Sequence, residues 1–258
     1  ARNVPDDVAH GLLAAVDKPV FHVYWMRDCA ISVPGAFYTG DDAARTALAN
    51  IGDTLDRYAK VPECIGIYPD GSPREGGFSD GPALGIYAQG YGHALAGKAW
   101  LETHYHAVTQ QLDYLLARDA DGGDPLDGLI RSSQGDWKDA MSMRQFGRVG
   151  AVFFVNVAYL RALRVAAEMA DALGKPADAT RWRTLREHGI TILNQNVADG
   201  GLWLPEKGYY ADWVQVMDQK SWVYPQDADN VTIFSAFSSL AHGIALAEGI
   251  IPAERISQ

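Results

Sequence analysis

The sequence predicts an all-α protein, a toroid of helical hairpins with long functional loops, over residues 1–258 as one domain. Three observations predict it. Apolar residues recur every three or four positions along most of the chain, the period of helices with one buried face. Strand signals are sparse, and strand and helix patterns never alternate, so a doubly wound sheet is excluded. Long Gly-, Pro- and Asp-rich connections (61–81, 119–148 and 197–229) separate the helical stretches. Compact domains keep loops of that length when the loops serve function.

Short helices are expected near Asp7–Val16 and Asp28–Tyr38. After Asp41 and Asp42, suited to an N-cap and first turn, the run AARTALANIGDTLDRY sets Ala44, Leu48, Ile51, Leu55 and Tyr58 on one stripe. Two helices follow between about Pro82 and Asp119, the second with Leu101, Tyr105, Val108, Leu112 and Leu115 on one face. The stretch Val149–Leu173 is apolar almost all round, hence a buried helix, and Gly174 with Pro176 beyond gives its stop. Further helices are expected over Ala177–Asn194 and Asn230–Glu248, the latter ahead of Gly249 and Pro252. FHVYW (21–25) and GLWLPE (201–206) read as short extended pieces, with strands below about a tenth of the residues.

Composition narrows the partners. Hydrophobic residues make up 48% and charged residues 21%, ordinary for a globular protein. The net charge of −10 and pI near 5.1 repel a phosphate backbone, so a nucleic-acid partner is excluded and a neutral or cationic ligand is favoured. Cys29 and Cys64 form no metal or disulfide spacing and read as small core residues. The longest apolar run, Val149–Leu160, contains Asn156 and stops at Arg161, too short for a bilayer. The first residues lack the basic and apolar stretches of a signal peptide. The expectation is a soluble chain without a membrane partner; compartment and oligomeric state stay open. GHALAGKA (92–99) matches a phosphate loop until Ala99, where a hydroxyl is needed, and reads as close helix packing. HYH (104–106) resembles a metal pair, but residues two apart on a helix diverge. No metal held by histidine and no cofactor are expected.

Three stretches concentrate chemistry. YWMRDCA (24–30) combines Trp25, Arg27 and Asp28: a stacking face, a bidentate donor and an acceptor for hydroxyls. Asp28 capping a helix and Arg27 in an ordinary ion pair is the plainer alternative. DGLIRSSQGDWKDAM packs Arg131, Asp136, Trp137 and Asp139 into nine residues. An indole and a second carboxylate both raise a carboxyl's pKa, which a general acid needs; a solvated acidic loop is the alternative. GLWLPEKGYYADWV (201–214) interleaves Trp203, Tyr209, Tyr210 and Trp213 with Glu206 and Asp212. About half of those rings should belong to the core; the others, with the acids, fit a sugar subsite.

YWMRDCAISVPGAFYTGD resembles the first-hairpin motif of the six-hairpin glycosidases, the (α/α)6-barrel glycoside hydrolases. GDWKDAM is similar to their acid-bearing GDW and DWND motifs, and GYYADWV to a late-barrel motif. The three come in the expected order and span residues 24–214. The resemblance implies a small carbohydrate substrate and exo-acting, inverting hydrolysis. It places Arg27 and Asp28 on sugar hydroxyls and makes Asp139 or Asp136 the general acid, Asp139 matching the second acid of DWND. Trp25, Arg131, Trp137, Tyr210, Asp212 and Trp213 complete the expected binding set. In inverting enzymes a second carboxylate activates water roughly 6.5–9.5 Å from the acid. About eight helices against the usual twelve imply part of a longer barrel and leave open whether this chain holds the base. Two alternatives stand beside hydrolysis: a phosphorylase on the same scaffold, and a sugar-binding protein without its base. The loops at 24–28, 131–139 and 203–213 are expected to converge on one cavity.

Overall fold

The computed structural model describes residues 24–27, 30, 31, 33, 52, 56, 57, 64, 65, 80–117, 128–132, 150–215, 232–234 and 237–256. The chain groups into two compact units. The first comprises 1–76, 80–117 and 161–184, and the second 77–79, 118–160 and 185–258.

In the first unit, strand β1 (Tyr24–Trp25) pairs antiparallel with β2 (Cys64–Ile65), setting Trp25 opposite Cys64. Helical backbone is present by Met26 and Arg27, earlier than the expected start at Asp28. Met26, Ala30 and Val33 are buried at i, i+4, i+7 spacing while Ile31 faces outward, as one apolar helix face requires. Helices α1 (Asp80–Ala96) and α2 (Lys98–Leu116) form a hairpin reversed at Gly97. Gly97 has φ 75°, a left-handed conformation that glycine adopts without a Cβ penalty. GHALAGKA therefore ends one helix and begins the next. The expected stripe Leu101, Tyr105, Val108, Leu112 and Leu115 is buried throughout. Trp100 Nε1 donates to the buried Gln89 Oε1 at 2.7 Å and ties the two helices together. A Cβ on Gly90 of α1 would lie 2.9 Å from Val165 Cγ1, so that glycine permits close helix packing.

Helix α3 (Phe153–Ala172) is buried except for Arg161, Arg164, Glu168, Asp171 and Ala172. It ends in a Schellman motif. The Lys175 amide donates to Ala170 O at 2.8 Å, the Gly174 amide to Asp171 O at 2.9 Å, and Gly174 holds φ 69°. Pro176 then opens α4 (Pro176–Leu193), where its missing N–H costs no hydrogen bond. Within the first unit, Tyr105 donates to Asp178 Oδ2 at 2.9 Å and accepts from Trp182 Nε1 at 3.5 Å. Burial is the main reason its phenol is pushed up to about 12; the Trp182 bond opposes that rise and Asp178 adds to it. The HYH pair shares one partner: His104 Nδ1 donates to Asp56 Oδ2 at 2.9 Å, and His106 Nε2 lies 3.6 Å from Asp56 Oδ1. The two rings diverge as expected, His104 inward and His106 outward, yet both reach the Asp56 carboxylate.

The second unit is built on a four-stranded antiparallel sheet ordered β3-β4-β7-β8, which the sequence did not announce. β3 is Arg131–Ser132, β4 Gly150–Val152, β7 Trp213–Gln215 and β8 Thr232–Phe234. Two expectations are corrected. The helix expected from Val149 begins at Phe153, after a strand; the helix expected from Asn230 is preceded by β8 and runs as α5 (Ser239–Ala247). The stretch 197–229, expected as a loop with a short extended piece at 201–206, contains a short 3-10 turn (Val197–Asp199) and the hairpin of β5 (Trp203–Leu204), within that piece, with β6 (Tyr209–Tyr210). α5 closes on a second Schellman motif at Gly249, followed by α6 (Ala253–Ile256). Among the described residues no helix is long and apolar enough to cross a membrane.

Candidate active site

The sheet of the second unit fixes where the two later motifs begin. Its register sets Arg131 opposite Ala151 and Ser132 opposite Gly150. Ala151 in turn faces Val214 and Val152 faces Trp213, while Gln215 faces Thr232. Antiparallel pairing therefore gathers Ser132, Gly150, Gln215 and Thr232 at one end of the sheet. Both the connection 133–149, which contains GDWKDAM, and the connection 216–231 leave from that end. Asp136, Trp137 and Asp139 themselves lie outside the described residues, as does Asp28. For Arg131, Trp213 and Trp25 the backbone alone is described.

A buried asparagine anchors the start of β3. Asn156, on the first turns of α3, is fully buried. Its Oδ1 accepts from the Ile130 amide at 2.7 Å, and its Nδ2 donates to Ile130 O at 3.1 Å and Val152 O at 3.0 Å. One amide thus satisfies both backbone groups of Ile130 where neither reaches water. The turn before it approaches α4 closely. Gly128 has φ 90°, and a Cβ there would lie 2.7 Å from His188 Cδ2. The sequence offered a signal for this device, a lone asparagine within the apolar run Val149–Leu160, but the run was read only for its length.

The β5–β6 hairpin packs the third motif. Lys207 and Gly208 amides both donate to Leu204 O at 3.0 Å, and Gly208 takes φ 71°. Tyr210, 1% exposed, stacks on Phe153 at 4.9 Å with 7° between the planes and meets Trp203 edge-on at 5.0 Å. Its hydroxyl donates to Asn194 Oδ1 and accepts from Arg255 Nη1 at 3.2 Å. Burial raises its phenol pKa, and the Arg255 guanidinium opposes part of that rise. The ring presents no face to solvent. His242 holds the backbone beside it: Nδ1 donates to Ser238 O at 2.7 Å, leaving Nε2 to accept from the Tyr210 amide at 3.3 Å. Those two bonds fix a neutral tautomer.

Asp212 is fully buried just before β7, and its carbonyl accepts from the Phe153 amide at 2.9 Å. That amide is the first of α3, one of the donors a helix cannot satisfy internally. The strand carrying Asp212 and Trp213 is therefore fastened to α3, as is Ile130 ahead of GDWKDAM. Arg27 is half-buried in the first unit. Among the described residues no three His, Cys, Asp or Glu side chains are grouped to hold a metal ion.

Residues 14–218 match the family described as the bacterial alpha-L-rhamnosidase 6 hairpin glycosidase domain. Among solved structures, the GH78 family rhamnosidase of Bacillus sp. GL1 is similar at 18% identity and a TM-score of 0.65, over 92% of this chain and 22% of that one. A bacterial glucoamylase complexed with acarbose is similar at 14% identity and a TM-score of 0.61, over 91% of this chain and 32% of that one. At these identities the likeness is one of fold, and the chain spans a third or less of either structure's length. Among curated proteins there is no match.

Proposed function

This chain belongs to the bacterial alpha-L-rhamnosidase six-hairpin glycosidase family, and we propose that it is the acid-bearing part of an exo-acting, inverting glycoside hydrolase. The substrate class to test first is an α-L-rhamnoside, the sugar named in the family description. The observation that carries the reading is the sheet register. Two motifs some seventy residues apart in sequence, GDWKDAM and YYADWV, attach to neighbouring strands: the connection that holds the first ends on β4, which pairs with β7 of the second.

Asp139 is assigned the role of general acid, protonating the leaving oxygen, with Asp136 beside it. Trp137 and Trp213 supply faces on which the apolar side of a sugar stacks. Arg131, Trp25, Arg27 and Asp28 supply charged and ring contacts to the hydroxyls, whereas Asp212, fully buried, is given a supporting role at the start of β7. Tyr210 is given the task of supporting the strand that carries Asp212, since its own ring is enclosed. Inversion requires a carboxylate base roughly 6.5–9.5 Å from the acid, with room for one water between them.

The test uses the natural polypeptide that carries this chain on a panel of aryl glycosides, with the first-formed anomer read by NMR. Turnover of the α-L-rhamnoside with inverted product is expected. Binding of sugars without turnover on any glycoside would replace the reading with a sugar-binding protein. Turnover that needs added phosphate would make the enzyme a phosphorylase.

A further inference from the structure

His242 lies on the buried face of α5 and reaches the backbone of the β5–β6 hairpin. The Ala211 amide turns back across that hairpin to Leu202 O at 2.8 Å, whereas the Tyr210 amide is accepted by His242 Nε2 at 3.3 Å. At its other nitrogen the same imidazole faces Ser238 O at 2.7 Å. Both partners are backbone groups, and neither can change role. A carbonyl only accepts, so Nδ1 carries the proton; a peptide N–H only donates, so Nε2 must keep its lone pair. The ring is 8% exposed, with Phe153 edge-on at 4.8 Å and Phe237 stacked at 4.3 Å. A second proton would set an N–H against the Tyr210 N–H, on a ring with little access to water.

The elements packed against the ring carry few charges. α5, SLAHGIALA, has no Asp, Glu, Lys or Arg. α3 presents Phe153, and β6 presents Tyr210, whose hydroxyl accepts from the Arg255 guanidinium with Glu254 beside it in sequence. The acid on the connection from β6 to β7 is Asp212, fully buried. We infer that His242 is an acid-released latch. Its neutral form fastens β6, and with it the connection through Asp212 to β7, while protonation lets the hairpin open. The latch concerns the support of the candidate site and not its reaction, so it stands whether or not the chain acts on glycosides.

An exposed imidazole, with a pKa of about 6.5, is about thirty parts protonated to one neutral at about pH 5. A closed form that takes no proton is disfavoured against the open one by that factor. Hydrogen exchange in the natural polypeptide reads this locally. Protection of the Tyr210 amide, corrected for the intrinsic exchange rate, should fall about thirtyfold from about pH 8 to about pH 5, while amides in the middle of α3 keep theirs. In His242→Gln the side-chain carbonyl keeps an acceptor for that amide and takes no proton, so the fall should vanish. A second reading needs no variant: the 15N shifts of His242 should report the Nδ1–H tautomer for as long as the Tyr210 amide stays protected. Protection that is independent of pH, or that falls equally in His242→Gln, would overturn the inference. So would protection that rises on acidification, which would mean an imidazolium paired with Asp212, or a loss shared with α3, which would be global unfolding.

Discussion

Asn156 shows how a single side chain anchors the backbone just ahead of a strand. It fills three backbone hydrogen bonds around Ile130 and Val152 in a dry site. Replacing it with leucine keeps the size and leaves those groups unpaired, at a cost of about 1–3 kcal/mol for each. Asn156→Leu should therefore lower the urea midpoint strongly; a midpoint within error of the parent would show that Ile130 is held by other means. Tyr105 supports a pH prediction. Its phenol is pushed up to about 12 by burial, against about 10 in the unfolded chain. Between those values the unfolded chain has released a proton that the folded one keeps, so stability falls as pH rises. That contribution is complete below about pH 10 and disappears through about pH 12. Tyr105→Phe should flatten the alkaline limb of the stability curve, and an unchanged slope would contradict the assignment. The sequence showed Tyr105 as one of a stripe and Asn156 as a polar interruption. Their partners, 73 and 26 residues away, could not be read from local pattern.

Helices were legible because their period is written locally. The α2 stripe lies buried on every position named, and Gly174 and Gly249 terminate α3 and α5 where punctuation placed them. Both glycines hold positive φ with open space around the missing Cβ, so the cost of a side chain there is conformational rather than steric. Gly174→Ala should destabilise by about 1 kcal/mol, measurable as a drop of a few degrees in Tm. A neutral effect would mean that the Schellman turn contributes nothing. Strands were legible at Tyr24–Trp25 and Trp203–Leu204, inside the two stretches read as extended, and hardly elsewhere. β3, β4, β7 and β8 are two or three residues each, too short to show alternation, and their identity comes from pairing over long separations. Thr232–Phe234, β-branched and aromatic, pairs with β7 where a continuous helix was expected. For the same reason the common root of the two later motifs was invisible until the register placed Ser132, Gly150, Gln215 and Thr232 at one end of a sheet.

At the scale of the whole molecule, the family match over residues 14–218 shows a six-hairpin glycosidase domain. Glycosidase membership was legible from the resemblance of three motifs, in order, to those of the six-hairpin glycosidases, and the family match bears it out. The central claim is that Asp139 is the general acid, and leaving-group dependence tests it most directly. A general acid contributes about 10²–10⁴-fold, most where the leaving group is poor. In the natural polypeptide, Asp139→Asn should abolish turnover of natural glycosides while sparing aryl glycosides with activated leaving groups, with sugar affinity little changed. The same pattern at Asp136, with Asp139→Asn slowing all substrates alike, would move the role to Asp136. Equal loss on good and poor leaving groups at both positions would contradict the acid assignment and leave GDWKDAM as a binding element.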